Sequence, residues 1–375
     1  MKIAYIHDVI YPHVKGGAEK RVWEISRRLA ERGHEVTIFG MKYWDGERAI
    51  EREGVRLCAV CDPMDLYVDG RRSIKAAVIF SSRLLRSFRG EFDVIDAQQF
   101  PYLPCFPAKV HSVLGKTPLV ITWHEVWGDY WREYLGWKGI FGEGIERLAV
   151  RLPDKIIPVS EMVSGDLSTL GVNGEKMEVV ANGVDLRKID SVEAAEPSCD
   201  VIYAGRLSAH KRVDLLIEAV GIAKKDLPDI RCCIVGDGPE REKLARLAEE
   251  LKIQENVEFL GFLDSEEEVT AKMKSSKVFV LPSMREGFGI SLLEANASGL
   301  PAVVVDAERS AAAALIKEGV NGVLCGPSAP SMASKMMDLL SDGSYKKMAR
   351  DSKEFARGYD WSDIARKVEG VYERL

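Results

Sequence analysis

Twice along the chain, at Lys2 and again at Asp200, a short apolar run opens into a glycine-bearing loop, an amphipathic helix and a second apolar run. Lys2–Ile6 reads as a buried strand. Ala18–Arg32 carries Ala18, Val22, Ile25 and Leu29 on one helical face, Gly33 ends it, and Glu35–Phe39 is the next strand. In the second half Asp200–Tyr203 is a strand and Ala204–Lys211 a loop. Val213, Leu216, Ile217 and Val220 then mark a helix, and Arg231–Val235 a strand. Further strands are expected at Val55–Val60, Asp93–Asp96, Leu119–Trp123, Lys155–Pro158, Met177–Val180, Val257–Leu260, Val278–Leu281 and Ala302–Val305. Buried strands separated by helices predict an α/β chain of two doubly wound, Rossmann-like parallel-sheet domains. A length of 375 residues fits two domains.

Leu186–Cys199 lacks periodicity, contains Ser191, Ala194, Ala195, Pro197 and Ser198, and reads as the linker. The domains are then 1–190 and 199–358, with a last helix over Ser362–Leu375. Ligands of such sheets bind at the carboxyl ends of the strands. Two facing sheets would place those loops on the walls of one cleft, which points to an enzyme joining two substrates.

Charge and cysteine usage narrow the class. Acidic residues number 58 and basic ones 52, so nucleic acid is not an expected partner. Seven cysteines, an odd number in a long chain, argue against a disulfide framework. Cys58 and Cys61 form a CxxC with no second pair to complete a zinc site. No apolar run reaches about 18 residues and no leader precedes Lys2, so the expected compartment is the cytoplasm.

The sharpest pattern is Pro282-Ser283-Met284-Arg285-Glu286-Gly287-Phe288-Gly289-Ile290-Ser291-Leu292-Leu293-Glu294-Ala295, between an apolar strand and a helix. Its glycines let backbone approach a ligand, and the helix start offers free N–H groups to a phosphate. Glu286 and Glu294 suit vicinal hydroxyls of a sugar or ribose, although acidic residues also favour a helix start by charge alone. Arg206 and Lys211, five apart after a strand, are placed to clamp a diphosphate; a solvated basic pair is the plainer alternative. Gly16-Gly17 again offers amides to an anion. No GxGxxG follows the first strand and no GxxxxGK[ST] occurs, which excludes a dinucleotide fingerprint and a P-loop.

These residues resemble the retaining family 4 glycosyltransferases of GT-B architecture. Glu286 to Glu294 matches that family's E-x7-E motif, within EGFGISLLEANASGLP. GRLSAHKRVDLLIEA, GGAEKRVWEISRRLAERGHEV, VANGVD, VGDGPEREKL and VEFLGFL are similar to its other segments, in the expected order. The resemblance implies that Glu294 holds the nucleotide ribose and Glu286 the donor sugar. Arg206 and Lys211 would neutralise the leaving diphosphate, and the amides near Phe288, Gly289 and Ile290 would complete the anion site. Gly16 and Gly17 would approach the phosphate from the acceptor-side domain, and His124 would contact the sugar. A helix over 360–375 would cross back onto the first domain. The sequence departs from the family at Arg212 (often Gly), Asn296 (often Met), Asp306–Ser310 (no glycine pair) and Gln98-Gln99 (often His).

The expected reaction moves a hexose from a nucleotide-diphosphate sugar to a hydroxyl on a sugar or lipid-linked acceptor, with retention. Arg206, Lys211 and helix amides would stabilise the leaving charge without metal; no Asp-x-Asp is present to hold one. GDP-mannose is preferred to UDP-glucose, because Lys211-Arg212-Val213-Asp214 resembles mannosyltransferase members. A glycosidase would need carboxylates about 5 Å apart, whereas positions eight apart across a helix start lie on the order of 10 Å apart. A nucleotide-sugar epimerase and a non-catalytic nucleotide-sugar sensor are the alternatives.

Peripheral contact with an anionic membrane at its inner face is a further expectation. Arg71, Arg72, Lys75, Arg83, Arg86 and Arg89 accompany Ile74, Val78, Leu85 and Phe88 on one helical face. Trp127, Trp131 and Tyr134 form an aromatic stripe after His124, suited to an acceptor or a membrane interface. Packing of both groups into the core is the alternative.

Overall fold

Two parallel sheets carry the fold, one in each half of the chain. The computed structural model describes residues 1–68, 71–196, 199–341 and 343–375. It divides into one unit of Met1–Asn182 with Trp361–Leu375, and a second of Gly183–Asp360.

The first unit contains β1 (Lys2–Ile6), β2 (Glu35–Met41), β3 (Ala49–Arg52), β4 (Val55–Cys61), β5 (Tyr67–Val68), β6 (Arg71–Arg72), β7 (Val94–Gln98), β8 (Leu119–Trp123) and β9 (Lys155–Pro158). Its main sheet runs β3-β4-β2-β1-β7-β8-β9, with β3 antiparallel to β4 and the other pairs parallel. Ile3, Ala4, Ile6, Val120 and Ile121 have no exposed surface, as strands covered on both faces require. Helices α1 (Gly17–Glu31), α2 (Ile74–Ser87), α3 (Cys105–Gly115), α4 (Tyr130–Leu135), α5 (Gly139–Ala149) and α6 (Glu161–Thr169) connect these strands.

The second unit contains β10 (Val201–Ala204), β11 (Cys232–Val235), β12 (Val257–Gly261), β13 (Val278–Leu281), β14 (Arg285–Glu286), β15 (Ala302–Val305), β16 (Arg309–Ser310) and β17 (Gly322–Cys325). The main sheet is parallel, in the order β12-β11-β10-β13-β15-β17. Its helices are α7 (Leu186–Ser191), α8 (Val213–Ala223), α9 (Arg241–Glu250), α10 (Glu266–Lys274), α11 (Ile290–Ala297), α12 (Ala329–Ser341) and α13 (Ser344–Ala356). The last helix, α14 (Trp361–Tyr372), belongs to the first unit. It buries Trp361, Ile364, Ala365, Val368, Val371 and Tyr372 among Ile3, Val22, Ile25, Leu29 and Val94.

Several sequence expectations are corrected. Met177–Val180 is not a strand: it makes one bridge to β9 and then single bonds, Glu178 N–H to Ile156 O and Val180 N–H to Pro158 O, before the chain leaves the sheet. The supposed linker begins as α7, because Asp185 caps it through a 3.0 Å bond from Lys188 N–H; Pro197 and Ser198 lie outside the described residues. β17 was hidden by its glycine. An added Cβ on Gly322 would lie 2.4 Å from Ala302 O, so close pairing with β15 requires the bare backbone. Cys199 and Cys233 form a disulfide across 34 residues, with Cα atoms 6.1 Å apart; Cys199 lies just before β10, outside the β10–β11 ladder in which Cys233 faces Ile202.

The departure at Asn296 has a structural reason. Asn296 is fully buried, donates to Leu300 O at 2.9 Å and accepts from Asn321 Nδ2 at 2.9 Å. Asn321 also donates to Leu315 O and accepts from Lys317 N–H, so the pair ties the end of α11 to the turn before β17. Asn296→Met should leave one Asn321 proton and the Leu300 carbonyl without their partner. The expected loss is about 2–3 kcal/mol, read as a lower denaturation midpoint; an unchanged midpoint would show that the amide pair is dispensable.

Candidate active site

In the second unit, the loop after β10 is built by close backbone approach. Gly205 N–H donates to Val235 O at 3.0 Å and Leu207 N–H to Asp237 O at 2.9 Å. An added Cβ on Gly236 would meet Gly205 O at 2.0 Å, and one on Gly238 would meet Leu207 O at 2.3 Å. Gly236 moreover has φ +127°, so the GDG turn admits no side chain at either glycine. This pins the loop whose exposed part carries Arg206.

Lys211 ends the same loop, and its Nζ lies 2.5 Å from Glu286 Oε1. Glu286 is held by β14, which pairs with β16, and Ala311 N–H donates to Glu286 O at 2.8 Å. In Asp306–Ser310, which lacks the glycine pair, Ser310 N–H donates to Ala307 O at 2.9 Å and Arg309–Ser310 forms β16 against β14. Met284 N–H donates to His210 O at 3.1 Å, a second tie between the two loops. Burial, with Lys211 beside it, lowers the His210 pKa to about 4, so its ring adds no charge here. Arg212 adopts φ +48°, the left-handed conformation that favours glycine, and its guanidinium bonds Asp214 at 2.9–3.0 Å.

Gly289 also has positive φ, +103°, and caps α11 without a side-chain bond. An added Cβ would meet Ala312 Cβ at 2.9 Å, so glycine is needed to turn the chain into the helix. Phe288 is buried beside Tyr359, with ring centroids 6.3 Å apart. The backbone amides at Gly289 and Ile290 therefore open a helix of eight residues, and Glu294 lies in its second turn. The structure thus carries Arg206, Lys211, Glu286, Phe288, Gly289, Ile290 and Glu294 on one unit, from the loop after β10 to helix α11, with Lys211 and Glu286 in direct contact.

In the first unit, His124 follows β8. Its backbone N–H donates to Gln99 Oε1 at 2.9 Å, and its Nε2 lies 2.8 Å from Gln98 Oε1. Gln98 Nε2 donates to Asp96 Oδ1 at 3.1 Å, which turns Oε1 toward the imidazole. Nε2 of His124 therefore carries the proton, and Nδ1 is left as the acceptor edge. Burial, then Arg21 and His7, push the His124 pKa well below 6.5, so the ring is neutral. Asp96 is itself buried and accepts from Thr122 Oγ1 at 3.1 Å and from Tyr372 OH at 2.6 Å. The two glutamines stand where histidines are frequent; Gln98 fixes the tautomer of His124, a role the sequence reading missed.

Gly16 and Gly17 open α1, without a side-chain cap on Gly16. Glu19 folds back over them: an added Cβ on Gly16 would lie 2.5 Å from Glu19 Oε2. Burial raises the Glu19 pKa to about 7, and Asp8 adds to the rise. Asp8 is buried and bonded to Arg72 at 2.5 Å. Arg72 is thus turned inward from the β5–β6 hairpin, and its N–H donates to Tyr134 OH at 2.7 Å; it is not part of a basic helix. Glu19 and Asp8 were not singled out in the sequence, and Arg72 was assigned there to the basic amphipathic stretch.

The aromatic stripe packs on itself, with Trp131 buried and Trp127 and Tyr134 half-buried. Trp127 and Trp131 rings lie 4.6 Å apart, and Trp127 and Tyr134 rings 5.0 Å apart. α2 starts at Ile74, capped by Ser73 Oγ, and buries Phe80 and Leu84. Phe88 is buried as well, but Ile74, Val78 and Leu85 point outward, which splits the predicted face. Among the described residues no helix is long and apolar enough to cross a membrane. Cys199, Cys233 and Glu258 are grouped closely enough to hold an ion, but the disulfide takes up both sulfurs.

Comparison with known proteins places this arrangement. The family model "Glycosyl transferases group 1" matches residues 187–358, and "Glycosyltransferase Family 4" matches residues 15–188. The glycogen synthase of Mycobacterium tuberculosis is 25% identical over 99% of this chain and 94% of its own. The structure of sucrose-phosphate synthase from Thermosynechococcus elongatus superposes with a TM-score of 0.82 at 18% identity, over 100% and 98% of the two chains. That of Anabaena HepE in complex with UDP-glucose superposes with a TM-score of 0.76 at 20% identity, over the whole of both chains. The two family models together run from residue 15 to residue 358, and the chain belongs to the GT-B glycosyltransferases of group 1 and family 4.

Proposed function

We propose that this glycosyltransferase is a metal-independent, retaining hexosyltransferase using a nucleotide-diphosphate sugar and a hydroxyl acceptor, in glycan, glycolipid or polysaccharide synthesis. The observation that carries the proposal is the Lys211–Glu286 contact at 2.5 Å, with Glu286 in the loop that Gly289 ends at the α11 start. A cation, a carboxylate and open amides suit a diphosphate bonded to a sugar: Lys211, Arg206 and the amides take the leaving charge, and Glu286 takes sugar hydroxyls. Glu294 is assigned to the ribose. His124 offers Nδ1 to a sugar hydroxyl, and Gly16-Gly17 offers amides to phosphate. Binding of UDP-glucose by Anabaena HepE makes a UDP-sugar the first donor to try, ahead of the GDP-mannose preferred from sequence.

A thermal-shift panel of nucleotide sugars, followed by transfer assays with and without EDTA, tests the reading. A ligand at about 100 times its Kd should stabilise the protein by about 2.7 kcal/mol. Donor consumed only as an isomerised sugar would favour an epimerase instead.

Glu19 gives a pH-dependent test of the Gly16-Gly17 assignment. Above its pKa of about 7 the carboxylate beside Gly16 is charged and repels a phosphate there; below it the group is neutral. Affinity for the donor, whose diphosphate does not titrate in that range, should rise as pH falls through about 7. Glu19→Gln should give the tighter binding at alkaline pH and flatten the profile, as measured by calorimetry. An unchanged profile would remove Gly16-Gly17 from the phosphate site.

A further inference from the structure

Helix α5 is packed with the wrong side outward for a helix in water. Its buried positions are Gly139, Gly142, Glu146 and Ala149. Its outward face and the turn before it show Trp137 (73% exposed), Ile140 (59%), Phe141 (66%) and Leu148 (52%). A helix in water normally buries such side chains and exposes small or polar ones.

This orientation is locked. An added Cβ on Gly142 would lie 2.3 Å from the Trp131 ring, and one on Gly139 would lie 2.4 Å from Trp131 O. Only glycines let α5 lie this close to α4. Glu146 accepts from Tyr102 OH at 2.6 Å and from the N–H groups of Trp127 and Gly128, both at 2.9 Å. Rolling the helix to bury Ile140 and Phe141 would break these bonds and open the glycine contact.

Over residues 136–151 the exposed charges are all positive. Lys138, Arg147 and Arg151 are exposed over residues 136–151. The acids of this stretch are committed elsewhere: Glu146 is buried, and Glu143 pairs with Arg132 at 2.7 Å. Large aromatic and aliphatic side chains ringed by cations match the headgroup region of an anionic bilayer, where rings and alkyl groups enter the acyl boundary and cations stay at the phosphates.

We propose that the outward face of α5 anchors this protein to an anionic membrane surface, so that the acceptor it glycosylates is lipid-borne. The acceptor part rests on the transferase reading above; the anchor does not. Trp137, Ile140 and Phe141 are the inserting residues, in place of the Trp127–Trp131–Tyr134 stripe, whose rings pack on one another. The outward Ile74, Val78 and Leu85 of α2, beside Lys75, Arg83 and Arg86, supply a second face of the same chemistry on the same unit.

The test is co-sedimentation of the full chain with phosphatidylcholine vesicles containing one quarter phosphatidylglycerol, at physiological salt and without donor. Quenching of tryptophan fluorescence by brominated acyl chains is the second readout. Binding with quenching is expected, weaker by about 10-fold or more on phosphatidylcholine alone. Ile140→Glu/Phe141→Glu should lower partitioning by about 100-fold. Its melting and its turnover of donor to water should stay unchanged, since both side chains are exposed. Absence of binding, or equal binding by the double variant, would overturn the proposal. So would a dimer formed without lipid that the double variant abolishes, because a second copy would then be what covers the face. Vesicle binding in a protein that turns over no donor would leave the anchor standing and remove the transferase reading.

Discussion

A chain ending at Asp360 should fail to fold its first unit. Residues 361–375 contribute Trp361, Ile364, Val368, Val371 and Tyr372 to the core of the first unit, none of them more than 4% exposed. At about 1.5–3 kcal/mol for each buried large side chain, their removal forfeits on the order of 10 kcal/mol. That matches the whole stability of an ordinary domain, about 5–15 kcal/mol. Polar losses add to it. Tyr372 OH donates to buried Asp96 and meets Tyr5 OH at 2.9 Å, and Glu369 bonds Arg32 at 2.8 Å and His34 at 2.6 Å. Point variants grade the effect. Trp361→Ala should cost about 3–5 kcal/mol, and Tyr372→Phe about 1–3 kcal/mol by leaving Asp96 short of a donor. Hydrogen exchange resolves the outcome by residue: protection should vanish from β1, β2 and β7 while β10 and β13 keep theirs. A truncated chain that protects β1 as the full chain does would show that α14 only decorates the sheet.

The fold was largely legible because its strands are short, buried runs and its helices keep a 3.6-residue period; Lys2–Ile6 and Val278–Leu281 were placed to the residue. What escaped depends on contacts distant in sequence. Gly322–Cys325 looks like a turn until Ala302 is seen to demand a bare backbone beside it. The pairing of Cys199 with Cys233 is a contact between residues 34 apart that no spacing encodes. In the site, the chemistry-bearing residues stood out by type and spacing, but their supports did not. Gln98 is an undistinguished amide until its bond to Asp96 fixes which nitrogen of His124 holds the proton. The helix after Trp137 was not singled out in the sequence, and two glycines against Trp131 decide which of its sides faces inward.

Arg206→Ala should lower the transfer rate by on the order of 10²-fold or more, as for loss of one preorganised charge stabiliser, and EDTA should leave the parent enzyme's rate unchanged. Lys211→Ala should be worse. Without donor, Lys211 is held by Glu286 at 2.5 Å, and Glu286 is only 13% exposed. On the proposed roles, deleting the lysine would remove a cation from the diphosphate and leave Glu286 without its Lys211 partner. Glu286→Gln separates the two effects: it keeps the side-chain shape but releases Lys211 from its anionic partner. Bare nucleoside diphosphate should then bind tighter than to the parent enzyme, while transfer is lost with the carboxylate that orients the sugar. Glu294→Ala should do the reverse. It should weaken bare nucleotide by roughly 1.5–3 kcal/mol for each ribose hydroxyl left without its charged partner, about 10- to 150-fold. Calorimetry with UDP and GDP, set beside transfer rates in EDTA, distinguishes these patterns. Equal weakening of bare nucleotide by Glu286→Gln and Glu294→Ala would erase the division of labour between sugar and ribose. Activity lost in EDTA and restored by Mn²⁺ would mean that Arg206 and Lys211 do not suffice as the counter-charge to the leaving diphosphate.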